Sequence, residues 1–187
     1  MKWIVIALLL AGLISCGDDE PIAPTYIDNG EVSVTLNGED FFSQYQVGVR
    51  ALSGSPCYPD RLSLNVTYYN QADVERVGFD IQNIPFKLGT YEIKEIKSNN
   101  SCLSDTVNGS FGTSVADGDV NGDMYYPLES EDNTVTLTSY DPSAREVEGT
   151  FEITFVISEK HRANKTVIDA PDTIRLTNGK FKAYDIR

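Results

Sequence analysis

The chain has 187 residues, with 28 Asp and Glu against 15 Lys and Arg, a single histidine and a formal net charge of -13. A surface this acidic repels phosphate backbones and anionic head groups, which argues against nucleic acid as a partner; the plain meaning of the charge is solubility. The length suits one domain with a sizeable core, and the only tryptophan, Trp3, lies in an N-terminal apolar run, so a tryptophan-lined sugar platform is not expected.

Met1-Lys2 supplies one positive charge, an apolar run follows from Trp3 to Ile14, and Ser15-Cys16 ends it. That order is a short n-region and an h-region. A bilayer-spanning helix needs roughly 20 apolar residues, and this run stops short of Asp18, Asp19 and Glu20. Residues 1–15 are therefore expected to be a signal peptide rather than a permanent span. Leu13-Ile14-Ser15-Cys16 resembles a bacterial lipobox: an apolar residue three before the cysteine, a small residue directly before it, then the cysteine. The resemblance implies a diacylglyceryl thioether on Cys16, cleavage before it, and acylation of the freed amine by a palmitate-type chain. At about 0.8 kcal/mol per buried CH₂, one acyl chain anchors marginally while two or three hold durably. The membrane is then a partner through the lipid anchor only.

Residues 16–30 carry Gly17-Asp18-Asp19-Glu20, Pro21 and Pro24, too little apolar content to fold alone, and are read as an acidic tether. The acidic residues after Cys16 resemble the export signal that sends Bacteroidota lipoproteins to the outer membrane, facing the cell surface.

From residue 31 to 187 the pattern is alternation rather than a helical stripe. Val32, Val34 and Leu36 precede Asn37-Gly38, and Phe41, Tyr45, Val47, Val49 and Ala51 follow. Asn-Gly favours a type I′ hairpin, which would place Val34 opposite Phe41. Alternating runs continue at Leu62, Leu64, Val66 and Tyr68; at Val77, Phe79 and Ile81; at Tyr91 and Ile93; at Phe111 and Val115; and at Val135 and Leu137. The longest is Val147, Gly149, Phe151, Ile153, Phe155 and Ile157. Ile174 and Leu176, then Asn178-Gly179, then Phe181 and Ala183 read as a closing hairpin with Leu176 facing Phe181. Roughly ten strands joined by short turns predict an all-β, antiparallel meander forming a β-sandwich or a flattened barrel.

Side chains able to do chemistry are few. Cys57 and Cys102 are an even pair in an oxidising compartment and are expected to form a disulfide, which would stabilise by about 4 kcal/mol on the chain-entropy account. Asp117-Gly118-Asp119-Val120-Asn121-Gly122-Asp123 matches the opening of a calcium loop, with oxygen ligands Asp117, Asp119, Asn121 and Asp123 and a glycine at the sixth position. The twelfth position is Leu128, where a bidentate glutamate belongs, so calcium is at most a weak cofactor and a polar hairpin loop is the bland alternative. His161 sits in the polar stretch Ser158-Glu159-Lys160-His161-Arg162, where a solvated imidazole is expected rather than a general base. Tyr68-Tyr69 and Tyr125-Tyr126 each put adjacent rings on opposite strand faces, one toward solvent. No phosphate-binding glycine loop, dinucleotide fingerprint or zinc ligand set stands out.

Gly89-Thr90-Tyr91, Val135-Thr136-Leu137 with Tyr140-Asp141, Val147-Glu148-Gly149-Thr150-Phe151 and Asn178-Gly179-Lys180-Phe181, together with the lipobox, resemble a group of small Bacteroidota cell-envelope lipoproteins of uncharacterised function. The likeness is strongest from about Asn133 onward. It implies the fold and the envelope, and carries no catalytic assignment. Asp105-Thr106-Val107 and Asp172-Thr173-Ile174 likewise resemble an O-glycosylation signal of such envelopes. The leading expectation is a non-catalytic surface module binding a protein, a glycan or another small ligand. Behind it stand a lipocalin-like carrier with an apolar cavity and, third, a carboxylate-based hydrolase.

Overall fold

A computed structural model describes residues 30–55, 58–95, 106–116, 118, 120–161 and 171–186. Ten strands follow in order: β1 (Gly30–Leu36), β2 (Gln46–Ser55), β3 (Tyr58–Tyr69), β4 (Glu75–Pro85), β5 (Gly89–Glu92), β6 (Asn108–Val115), β7 (Val120–Pro127), β8 (Thr134–Asp141), β9 (Glu146–Ile157) and β10 (Thr173–Ile186). Two short 3₁₀ turns, Phe41–Gln44 and Glu159–His161, are the described helical segments.

The apolar alternation does what its period requires. Leu62, Leu64, Val66 and Tyr68 of β3, Val77, Phe79 and Ile81 of β4, and Val147, Phe151, Ile153, Phe155 and Ile157 of β9 are all buried. Strand pairing sorts them into two runs, β1-β10-β9-β8-β5 and β2-β3-β4-β6-β7. The two runs fold over one another around a single core: Phe79 lies 5.2 Å from Phe151, and Phe111 5.8 Å from Phe155. Removing each such ring from water is worth about 2 kcal/mol, which is why facing apolar surfaces hold the two runs together.

The runs are seamed at their corners. Asp185 and Ile186 of β10 pair in parallel with Ala51 and Leu52 of β2, and Phe155 to Ile157 of β9 pair with Tyr125 to Pro127 of β7. These contacts are short, and the sheet is not closed into a barrel.

Both expected hairpins are corrected. The first Asn-Gly turn exists, with Asn37 at φ 52° and Gly38 at φ 85° and Leu36 exchanging hydrogen bonds with Glu39. Pairing then stops, because the chain enters the 3₁₀ turn; β1 pairs instead with β10, Val32 opposite Phe181 and Gly30 opposite Ala183. Nor is there a turn at Asn178-Gly179: β10 runs straight through as one strand. Leu176 pairs with Ile153 and Gly179 with Phe151, so β10 carries one extra residue, with Asn178 at φ 57°. This is a β-bulge.

Candidate functional site

An open groove of about 680 Å³ lies where β1 and β2 stand at the margins of the two layers. Its shape begins at Asn37-Gly38. Those two positive-φ residues throw the chain away from β1, and Phe41–Gln44 coil into the 3₁₀ turn, closed by the Tyr45 N–H donating to the Phe42 carbonyl at 3.0 Å. Ser43 Oγ donates to the Asp40 carbonyl at 3.0 Å and braces the same turn.

The turn drives Phe42 inward, where only 6% of it stays exposed, flat against Tyr68 with centroids 4.0 Å apart and planes 14° from parallel. Phe41 meets Phe42 edge-on at 5.3 Å and Tyr45 at 5.5 Å. Burial pushes the Tyr68 hydroxyl well above the usual phenol range, so it stays neutral. Val34 and Val47 complete an apolar floor, while Thr35, Asp40, Asn178 and Lys180 form a polar rim.

Backbone chemistry adds to this. Among the described residues β1 has β10 as its only strand partner, and β2 pairs beyond β3 only at Ala51 and Leu52. The stretch Gln46–Arg50 and the outer side of β1 thus present ladder edges beside the groove. Unpaired N–H and C=O rows of this kind template a further strand.

Of the residues singled out in the sequence, Cys16, Cys57, Cys102, Asp117 and Asp119 lie outside the described residues. Asn121 and Asp123 are described and part company. Ser114 pairs with Asn121 but Gly112 with Met124, so β7 carries an extra residue at Gly122-Asp123. Asn121 is exposed, while Asp123 is 3% exposed and its N–H donates to Thr113 Oγ1 at 2.8 Å. Among the described residues no group of three or more His, Cys, Asp or Glu is placed to hold a metal ion. His161 closes the second 3₁₀ turn. The tyrosine pairs divide as alternation requires: Tyr68 and Tyr125 are buried, Tyr125 edge-on to Phe111 at 5.5 Å, while Tyr69 and Tyr126 are half-buried.

Sequence reasoning missed the groove because it took Phe41 as the inward residue, continuing the parity of Val47 and Val49. The 3₁₀ turn shifts that role to Phe42, and a signal for it exists in the polar Ser43-Gln44 that follows the two phenylalanines.

No protein family, no curated protein and no solved structure matches the chain.

Proposed function

We propose that this chain is a lipid-anchored envelope protein, acylated at Cys16 and displayed at the outer membrane, whose β domain is a non-catalytic binding module. Its partner is an extended polypeptide segment seated in the groove beside β1 and β2. The observation that carries this reading is the coincidence of an apolar floor, Phe42, Tyr68, Val34 and Val47, with two ladder edges, the outer side of β1 and Gln46–Arg50, that pair with no strand among the described residues. Main-chain bonds along an edge give affinity, and alternate side chains entering the floor give selectivity.

The carrier reading is weaker. The side chains between the layers are packed against one another, Phe79 on Phe151 and Phe111 on Phe155, and the concavity that does form opens to solvent. In this groove a hydrolase would lack the facing carboxylates it needs, since Asp40 is the one acidic residue lining it.

Selection of random twelve-residue peptides on the intact protein tests the proposal. Enriched peptides should lose at least tenfold in affinity on Ser43→Trp, which fills the groove, and keep it on Glu152→Lys, on the exposed face of β9. Peptides that bind both variants equally would contradict it.

A further inference from the structure

The outer face of the β2-β3-β4-β6-β7 run carries a second concavity, and nothing in the groove reading uses it. Three cross-strand rows build it. In the middle row Gly78 of β4 stands opposite Gly112 of β6, with Thr67 of β3 at one end and Met124 of β7 at the other. On one side lies the row Asn65, Asp80 and Ser110. On the other lie Glu75, Ser114 and Asn121. Rows two residues apart along a strand are separated by roughly 7 Å, so the walls stand about 13 Å apart at the backbone. Gly78 leaves its part of the floor without a side chain, the Met124 thioether lies over Gly112, 3.0 Å from where a Cβ would stand, and the space between the walls is about 160 Å³.

The walls are all hydrogen-bonding groups, held in place by one another. Asn65 Nδ2 donates to Asp80 Oδ1 at 2.6 Å, and Thr67 Oγ1 donates back to Asn65 Oδ1 at 3.3 Å. Across the floor, Ser114 Oγ donates to Glu75 Oε1 at 3.2 Å. That leaves one oxygen on each carboxylate, the Ser110 hydroxyl and the Asn121 carboxamide facing the trench. Neither lysine nor arginine lines it, and its floor is the Gly78 backbone beside the Met124 thioether. Two carboxylates repel an anion, and an apolar ligand would leave these groups unsatisfied. A flat ring bearing hydroxyls suits all of it: hydroxyls donate to carboxylate oxygens in strong charge-assisted bonds and accept from serine and amide N–H groups.

We propose that this trench binds a neutral saccharide, the C–H face of its ring resting on Gly78 and the Met124 side chain, its hydroxyls held by Asp80, Asn65 and Ser110 on one wall and by Glu75, Ser114 and Asn121 on the other. The site is separate from the peptide groove and independent of it.

Calorimetric titration of the intact protein with neutral hexasaccharides, the α- and β-linked glucans, xylan and mannan, tests this, with hexagalacturonate and Ca²⁺ alone as comparisons. At least one neutral hexasaccharide should bind. Asp80→Asn, which keeps the shape and still accepts the Asn65 bond, should weaken it at least tenfold without lowering the melting temperature. Asn121→Ala, on the exposed wall, should weaken it about threefold or more, and Ser43→Trp in the peptide groove should leave it unchanged. No binding by any neutral member would overturn the assignment. So would binding that survives both trench substitutions, preference for hexagalacturonate, or a Ca²⁺ signal lost in Asp80→Asn with no saccharide bound.

Discussion

Two glycines on neighbouring strands show how closely single residues are fitted to their partners. Gly149 of β9 stands opposite Phe181 of β10, and Phe151 of β9 opposite Gly179 of β10. A Cβ on Gly149 would run into the Thr136 carbonyl and come within 2.6 Å of the Phe181 ring; one on Gly179 would come within 2.6 Å of Phe151. Each ring therefore covers the bare backbone of the other strand. Gly149→Ala and Gly179→Ala should each destabilise by about 2 kcal/mol through overpacking. In a chain of this size that is a fall of roughly 4–8 °C in Tm, read by thermal unfolding. Asp80 makes the opposite kind of prediction. Burial raises its pKa, outweighing the Asn65 hydrogen bond that lowers it. The folded protein then holds this proton to higher pH than the unfolded chain does. The stability deficit is accordingly absent below the usual carboxylate value and complete above the raised one, so stability is lost as pH rises between them. Denaturation of wild type and Asp80→Asn side by side should show the variant gaining relative stability across that window. A constant difference from acid to neutral pH would contradict the cause assigned here.

At the level of elements, the two Asn-Gly sites show what alternation can and cannot say. Apolar parity changes at both, from Leu36 to Phe41 and from Leu176 to Phe181. A two-residue hairpin changes parity, and a one-residue bulge does so equally, so alternation identifies Ile174, Leu176, Phe181 and Ala183 as one apolar face but not the element that joins them. Long partners decide it: β9 offers a ladder for β10 from Thr173 to Tyr184, and a continuous strand keeps that ladder whole with one interruption. The buried sets of β3, β4 and β9 were legible because they are uniform alternations with no such break. The groove was not, since it depends on a 3₁₀ turn and on which distant strand β1 pairs with. The bulge predicts its own chemistry. Asn178 at φ 57° is in a region that asparagine and glycine tolerate and β-branched residues do not. Asn178→Gly should stay within about 0.5 kcal/mol of wild type, and Asn178→Val should cost about 1–2 kcal/mol, measured by urea denaturation.

For the whole molecule, the first strand is held by the last, β1 by β10, and through β10 the two layers are joined at a corner. Among the described residues, rings from the two layers pack on one another and the groove and trench open outward, as the proposed binding at the surface requires. If Cys16 carries the lipid, the purified native protein should begin at that residue with its mass raised by the diacylglyceryl and acyl groups, and Cys16→Ser should leave the membrane fraction. Native material retaining residues 1–15 would contradict the anchor. The seam between β1 and β2 remains the point on which the functional account turns. Backbone amide exchange tests it most directly. With a selected peptide bound, amides on the outer side of β1 and along Gln46–Arg50 should slow at least tenfold while those of β8 and β9 stay as they were. Protection confined to β8 and β9, or no protection on either edge beside the groove, would contradict it.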